Sequence, residues 1–182
     1  TSGGIIGVDE IEELFKNNKC FHLAEMMNYP GVLFDDQFVL EKINLAYRYN
    51  KCIDSHAPML NGEQLKKYIN KGITTDHECT TLEEALEKID LGMKIMLRES
   101  SASKDFDHLD RLIELKPDAA MFCTDDCHPD DLQKGYIDKL FQRAVKKGYS
   151  ITTICKAASI NAIKHYNLPV GKLEIDDCAD FI

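Results

Sequence analysis

Lys94-Ile95-Met96-Leu97-Arg98 is a short apolar run that closes on a polar residue, and the stretch 106–115 behind it has apolar residues at helical spacing until Pro117 ends it. One strand followed by one helix is the unit this describes, and the same unit repeats on both sides. Upstream, Gly72-Ile73-Thr74-Thr75-Asp76 runs into His77, ahead of a helix predicted over 81–91 with Thr80 or Thr81 as N-cap. Cys52-Ile53-Asp54-Ser55 leads to His56, where Ala57-Pro58 stops regular structure before a helix over 62–71. Cys20-Phe21-His22-Leu23-Ala24 ends at Glu25, with helices predicted over 9–18 before it and 37–49 after it. Downstream, Ala119-Ala120-Met121-Phe122-Cys123 leads through Thr124 to Asp125; a long helix over 130–147, closed by Gly148, and a shorter one over 152–159 follow.

Five strand-like runs therefore end in Glu25, His56, His77, Arg98 and Asp125, separated by 31, 21, 21 and 27 positions, about one βα unit each. Parallel strands of an α/β barrel all open their C-terminal ends on one face, so five residues spread over a hundred positions would meet at one mouth. Two imidazoles and two carboxylates suit a divalent first-row metal, and carboxylates can bridge two ions. A lone histidine at a strand end is more often a hydrogen-bonded structural residue, and a lone glutamate after an apolar run is usually solvated. Five polar strand ends in register outweigh those plainer readings.

Composition excludes more than it identifies. The chain has 182 residues, 44% hydrophobic and 29% charged, enough for one large domain. Its net charge of −9 and lack of clustered Lys and Arg argue against nucleic acid as a partner. No apolar run approaches the roughly 20 residues that cross a bilayer, so no membrane partner is expected. Seven cysteines without a CxxC pair read as reduced, mostly buried thiols of a cytoplasmic protein. The opening Thr1-Ser2-Gly3-Gly4 carries neither an initiator Met nor a signal segment and reads as the middle of a longer chain.

Other residues invite weaker readings. His22 lies within its strand run and is expected in the core or barrel interior, while His108 and His165 fall on helices and are expected at the surface. His128, in Asp126-Cys127-His128-Pro129, suits loop ordering or substrate contact equally well. Met26-Met27 and Tyr47/Tyr49 read as packing.

At the strand ends the chain resembles the adenine deaminases, a family of two-metal amidohydrolases. Leu23-Ala24-Glu25-Met26-Met27-Asn28-Tyr29-Pro30-Gly31-Val32 is similar to their LAEMMNFPGV segment and is specific to them. Asp54-Ser55-His56-Ala57-Pro58, Thr75-Asp76-His77-Glu78, Leu97-Arg98-Glu99-Ser100-Ser101-Ala102 and Phe122-Cys123-Thr124-Asp125-Asp126 match segments that by themselves indicate only an amidohydrolase. The tail from Gly171-Lys172-Leu173 to Phe181-Ile182 resembles the stretch that returns such chains to a small β domain.

The resemblance implies a TIM-like (β/α) barrel, here its last five βα units over 1–168, with 169–182 returning to a small β-sandwich domain. It makes Glu25 a carboxylate bridging two metals, gives His56 and His77 one ion, and has Asp125 ligate the other and shuttle the proton. Glu78 joins Asp125 as a catalytic candidate, and Asp126, Arg98 and His128 become candidates for binding the purine. Two divalent ions are implied, Mn or Fe(II), with Zn a third option, and a homodimer is the default assembly. The implied reaction, in purine salvage, is adenine plus water to hypoxanthine plus ammonia. Three features depart from the family: no His-x-His pair occurs, Ser55 and Ser100 stand where Gly is frequent, and Asp176 replaces a turn Gly, for which left-handed geometry is expected. Without the His-x-His pair, the isolated chain is expected to be inactive. The alternatives are an amidohydrolase acting on a cyclic amide or another amino-heterocycle, or a catalytically dead α/β scaffold.

Overall fold

A computed structural model of the chain describes residues 3–172 and 174–180; Thr1, Ser2, Leu173, Phe181 and Ile182, the last three part of the tail motif, lie outside the described residues. Five parallel strands, β1 (His22–Met26), β2 (Cys52–Ser55), β3 (Thr75–Asp76), β4 (Lys94–Arg98) and β5 (Ala120–Cys123), form one sheet in sequential order. Parallel neighbours require a crossover, and helices supply each one. The layer comprises α1 (Val8–Lys16), α2 (Tyr29–Leu33), α3 (Gln37–Arg48), α4 (Gly62–Ile69), α5 (Leu82–Asp90), α6 (Phe106–Leu109), α7 (Leu112–Leu115), α8 (Pro129–Leu132), α9 (Ile137–Lys146), α10 (Ile151–Cys155) and α11 (Asn161–Tyr166).

Strand alternation sorts the side chains. Ile53, Ile95, Leu97 and Phe122 face the helices and are buried, in two core clusters on either side of β3. Their neighbours Asp54, Met96 and Cys123 face the opposite side, where they line a shared cavity. This is the partition of a (β/α) barrel in which the five strands form an arc.

Several expected elements change at points with a local cause. The long helix over 130–147 is two, α8 and α9, because Gly135 takes φ +139° between them. The helix over 106–115 is two short ones, α6 and α7. The one over 152–159 is longer than expected: α10 continues through a π-helical turn, Lys156–Ile160, into α11. The sequence reading missed α2, whose Pro30 sits in the first turn where its absent N–H is harmless, with Asn28 as N-cap. Thr81, rather than Thr80, caps α5, its hydroxyl accepting from the Glu84 N–H at 3.3 Å. Asp176 adopts the left-handed conformation, φ +69°, in a tail whose backbone N–H groups at Gly171 and Lys172 donate to the Asp180 and Asp177 carboxylates.

Burial also corrects three expectations. All seven cysteines are free, but Cys79 alone among them is buried, and Cys155 and Cys178 are exposed. His165 is half-buried rather than a surface residue: the Thr74 hydroxyl donates to the Ile53 carbonyl, so the His165 Nε2–H donates to Thr74 Oγ1 at 3.1 Å. Met27 is exposed and only Met26 of that pair packs in the core.

Candidate metal centre

Glu25 reaches the mouth through an irregularity of β1. The register pairs Leu23 with Ile53 and Met26 with Ser55, so β1 carries one more residue than β2 over that step. Such a bulge re-aims a side chain, and here the consecutive Ala24 and Glu25 both line the cavity of about 180 Å³ at the C-terminal ends of the strands. His56 and His77 each follow the last residue of a strand, and Arg98 ends β4. Asp125 lies two residues past β5 with φ +55°, a left-handed conformation that aspartate tolerates and that often marks functional turns.

These side chains meet. Glu25 Oε2 lies 2.9 Å from His77 Nε2 and its Oε1 lies 3.6 Å from His56 Nδ1. Glu78 Oε1 is 3.5 Å from His56 Nδ1 and 3.4 Å from His77 Nε2, and it also accepts from Arg98 Nη1. Arg98 donates further to Asp125 Oδ2 at 3.2 Å and, through Nε and Nη2, to Asp105 Oδ2 at 3.0 Å each. Three carboxylates thus surround two imidazoles with one guanidinium nearby, and that guanidinium is divided among three acids.

Two overlapping groups, Glu25/His56/His77 and His77/Glu78/Asp125, have ligand atoms all within 4.8 Å of one another. His56 Nδ1 is buried and has no hydrogen-bond partner among the described residues, a costly state for a polar nitrogen unless something binds there. Imidazole and carboxylate donors in excess of local cations fit a divalent metal. Cys123 lines the same cavity but belongs to neither group; burial, then the Asp125 carboxylate, push its thiol up to about 12.

Not every candidate residue joins the cluster. Asp126 is exposed, and its carbonyl accepts from the Ser101 N–H at 3.1 Å. His128 is exposed and caps α8, with Nδ1 accepting from the Asp130 N–H at 3.3 Å while its own N–H donates to Ser101 Oγ at 2.8 Å. Both hold the loop after β5. His22 lies 3.2 Å from Asp54 Oδ2 on the cavity side of the sheet.

Sequence reasoning missed Asp105, which anchors Arg98, and a buried polar group behind the histidines. There Lys88 Nζ donates to Asp76 Oδ2 at 2.6 Å, Glu84 Oε1 at 2.7 Å and the Ala57 carbonyl at 2.8 Å. The available signal was Lys88 sharing the apolar face of α5, three residues after the buried Ala85.

Residues 7–182 match the model of the amidohydrolase family. The chain belongs to that family. Among curated relatives of this amidohydrolase chain are adenine deaminases of Sulfurovum sp. (strain NBC37-1), 50% identical, and Methanosarcina barkeri, 46% identical, each aligned over all of this chain. The adenine deaminase of Parabacteroides distasonis is 47% identical over the same extent. The chain spans about a third of these relatives' length, 34%, 33% and 33% respectively. A solved structure of a TatD homologue from Escherichia coli aligns with a TM-score of 0.58 at 14% identity, covering 89% of this chain and 70% of that one, a likeness of fold. Amidohydrolases generally use divalent metals, in keeping with the donor set at the strand ends.

Proposed function

We propose that this amidohydrolase chain is the metal-bearing part of an adenine deaminase that converts adenine and water to hypoxanthine and ammonia. One observation carries the metal half of the reading: Glu25, His56 and His77, from three successive strand ends, converge while His56 Nδ1 is buried with no hydrogen bond among the described residues. The names of relatives at 46–50% identity over the whole chain support the substrate half. The segment 1–168 contributes five units of the barrel and 169–182 leads toward a small β domain.

Glu25, His56 and His77 would hold one ion, and Asp125, with Glu25 as bridge, the other. Mn or Fe(II) is the proposed pair, with Zn accepted by the same donors. Divalent cations supply Lewis acidity and lower the pKa of water from 15.7 toward about 7. This chain's residues do the rest. Asp125 accepts the proton of the attacking water and passes it to the leaving amino group, first as general base and then as general acid. Arg98 holds Asp125 and Glu78 in orientation, and Glu78, which bonds to Arg98 and approaches both imidazoles, assists proton handling. Asp126 and His128 order the rim against which the purine ring is placed, with Arg98 at its inner edge. The setting is purine salvage in the cytoplasm, with no nucleic-acid or membrane partner and a homodimer as assembly. Among the described residues no helix is long and apolar enough to cross a membrane.

The test measures metal content and ammonia release from adenine, for this chain and for a full-length protein that carries it. Activity confined to the metal-loaded full-length protein is expected, because this chain has no His-x-His pair. A metal-loaded full-length protein that ignored adenine but opened cyclic imides would transfer the reading to another amidohydrolase reaction. A full-length protein taking up no metal would leave a dead scaffold.

A further inference from the structure

Asp76 immediately precedes His77, and Ser55 and Ala57 flank His56. One carboxylate ties these positions together: Asp76 Oδ1 accepts from Ser55 Oγ at 2.7 Å and from the Ala57 N–H at 3.2 Å. Its other oxygen takes Lys88 Nζ, which also holds the Ala57 carbonyl and Glu84. Glu84 Oε1 in turn accepts from the Met59 N–H at 2.8 Å, and Glu87 from the Gly62 N–H at 2.8 Å, so α5 fastens the whole 57–62 loop. Asp76 and Lys88 are both fully buried. All three ammonium protons are used, so the Asp76, Cys79 and Glu84 donor group already holds a cation.

A buried ion pair is weak support for stability, since apolar replacement of both partners is often neutral or better. Its position matters more here. We propose that Lys88 and Asp76 are positioning residues that set the His56 and His77 imidazoles at metal-binding separation, an inference that rests on the metal-centre reading above. The ammonium fixes the carbonyl beside His56 and the carboxylate beside His77 at once, so the two ligand-bearing loops move as one body. Partners outside the ligand shell that orient ligands are typically worth about 10–100-fold in metal affinity.

The experiment uses the full-length protein that carries this chain and Co(II) as probe, reading affinity by titration and ligand geometry from the visible bands. Lys88→Met combined with Asp76→Asn and Glu84→Gln removes every charge of this group, and this variant is expected to fold yet bind Co(II) about 10–100-fold more weakly, with altered bands. Wild-type affinity and bands in that folded variant would overturn the positioning role. Should this variant not fold, Glu84→Ala decides: it removes one leg of Lys88 and the Met59 bond from a position near the surface. Several-fold weaker Co(II) binding by folded Glu84→Ala supports the role, and unchanged binding overturns it. A wild-type full-length protein that takes up no Co(II) overturns the metal-centre reading and this inference with it, a result distinct from equal uptake by wild type and variants.

Discussion

Two clusters of acids and bases lie back to back at β3, divided between adjacent residues Asp76 and His77. Around Asp76, one fully buried ammonium is held by two carboxylates, Asp76 and Glu84, and by the Ala57 carbonyl, so its hydrogen bonds are complete; burial, which favours the neutral carboxyl, is outweighed chiefly by Lys88, so the Asp76 pKa lies below its ordinary value. Around His77, no ammonium lies at the centre, the mouth is open to solvent, and His56 Nδ1 makes no hydrogen bond among the described residues, with two carboxylates 3.5 and 3.6 Å away. The same residue types thus serve opposite ends. A polar cluster that satisfies itself holds a fold in one arrangement, and one left short of positive charge is prepared for a ligand that supplies it.

The sharpest way to break this contrast is at Asp125. In the metal-loaded full-length protein, Asp125→Asn should lower the rate of ammonia release from adenine by about 10²–10⁴-fold, the usual share of general acid–base catalysis. A rate near wild type would remove Asp125 from proton transfer. On the sealed side, Lys88→Met alone strands a buried carboxylate and should cost about 3–5 kcal/mol in denaturant unfolding. A loss under about 1 kcal/mol would mean the cluster is looser than the distances imply.

Metal should stabilise the open side only. At a free Mn(II) concentration 100 times Kd, the chain should gain about 2.7 kcal/mol, and a chelator should remove it. His56→Ala should abolish most of that gain while changing metal-free stability little, since among the described residues its Nδ1 makes only contacts of 3.5 and 3.6 Å to carboxylates and no hydrogen bond. A large loss of stability without metal would show that His56 belongs to the packing.

The smallest effect lies just before β3, where His165 meets Thr74. Burial lowers the His165 pKa, with the Asp54 charge opposing it. The native state therefore resists the proton more than the unfolded chain does, whose value is about 6.5. Stability is complete above that pH and declines as pH falls from there toward the lower native value. Thermal melts between pH 7.5 and 5 should show this slope, and His165→Gln should flatten it.

The alternation of short apolar runs with helices, and the polar residue closing each run, were legible because both depend on local periodicity and on the shared direction of parallel strands. That was enough to foresee parallel βα units and the meeting of Glu25, His56, His77, Arg98 and Asp125. The finer outcomes needed the folded chain. The extra residue in β1 that lets Glu25 face the cavity appears only when β1 is laid against β2. The break at Gly135 reflects a backbone conformation that glycine permits without requiring it. Lys88 reads as an ordinary helical lysine until Asp76 and the Ala57 carbonyl, 12 and 31 positions away, are brought to its ammonium group. Local sequence determines what each segment can be, whereas the partner of a buried charge is chosen by distant residues, and only tertiary structure brings those together.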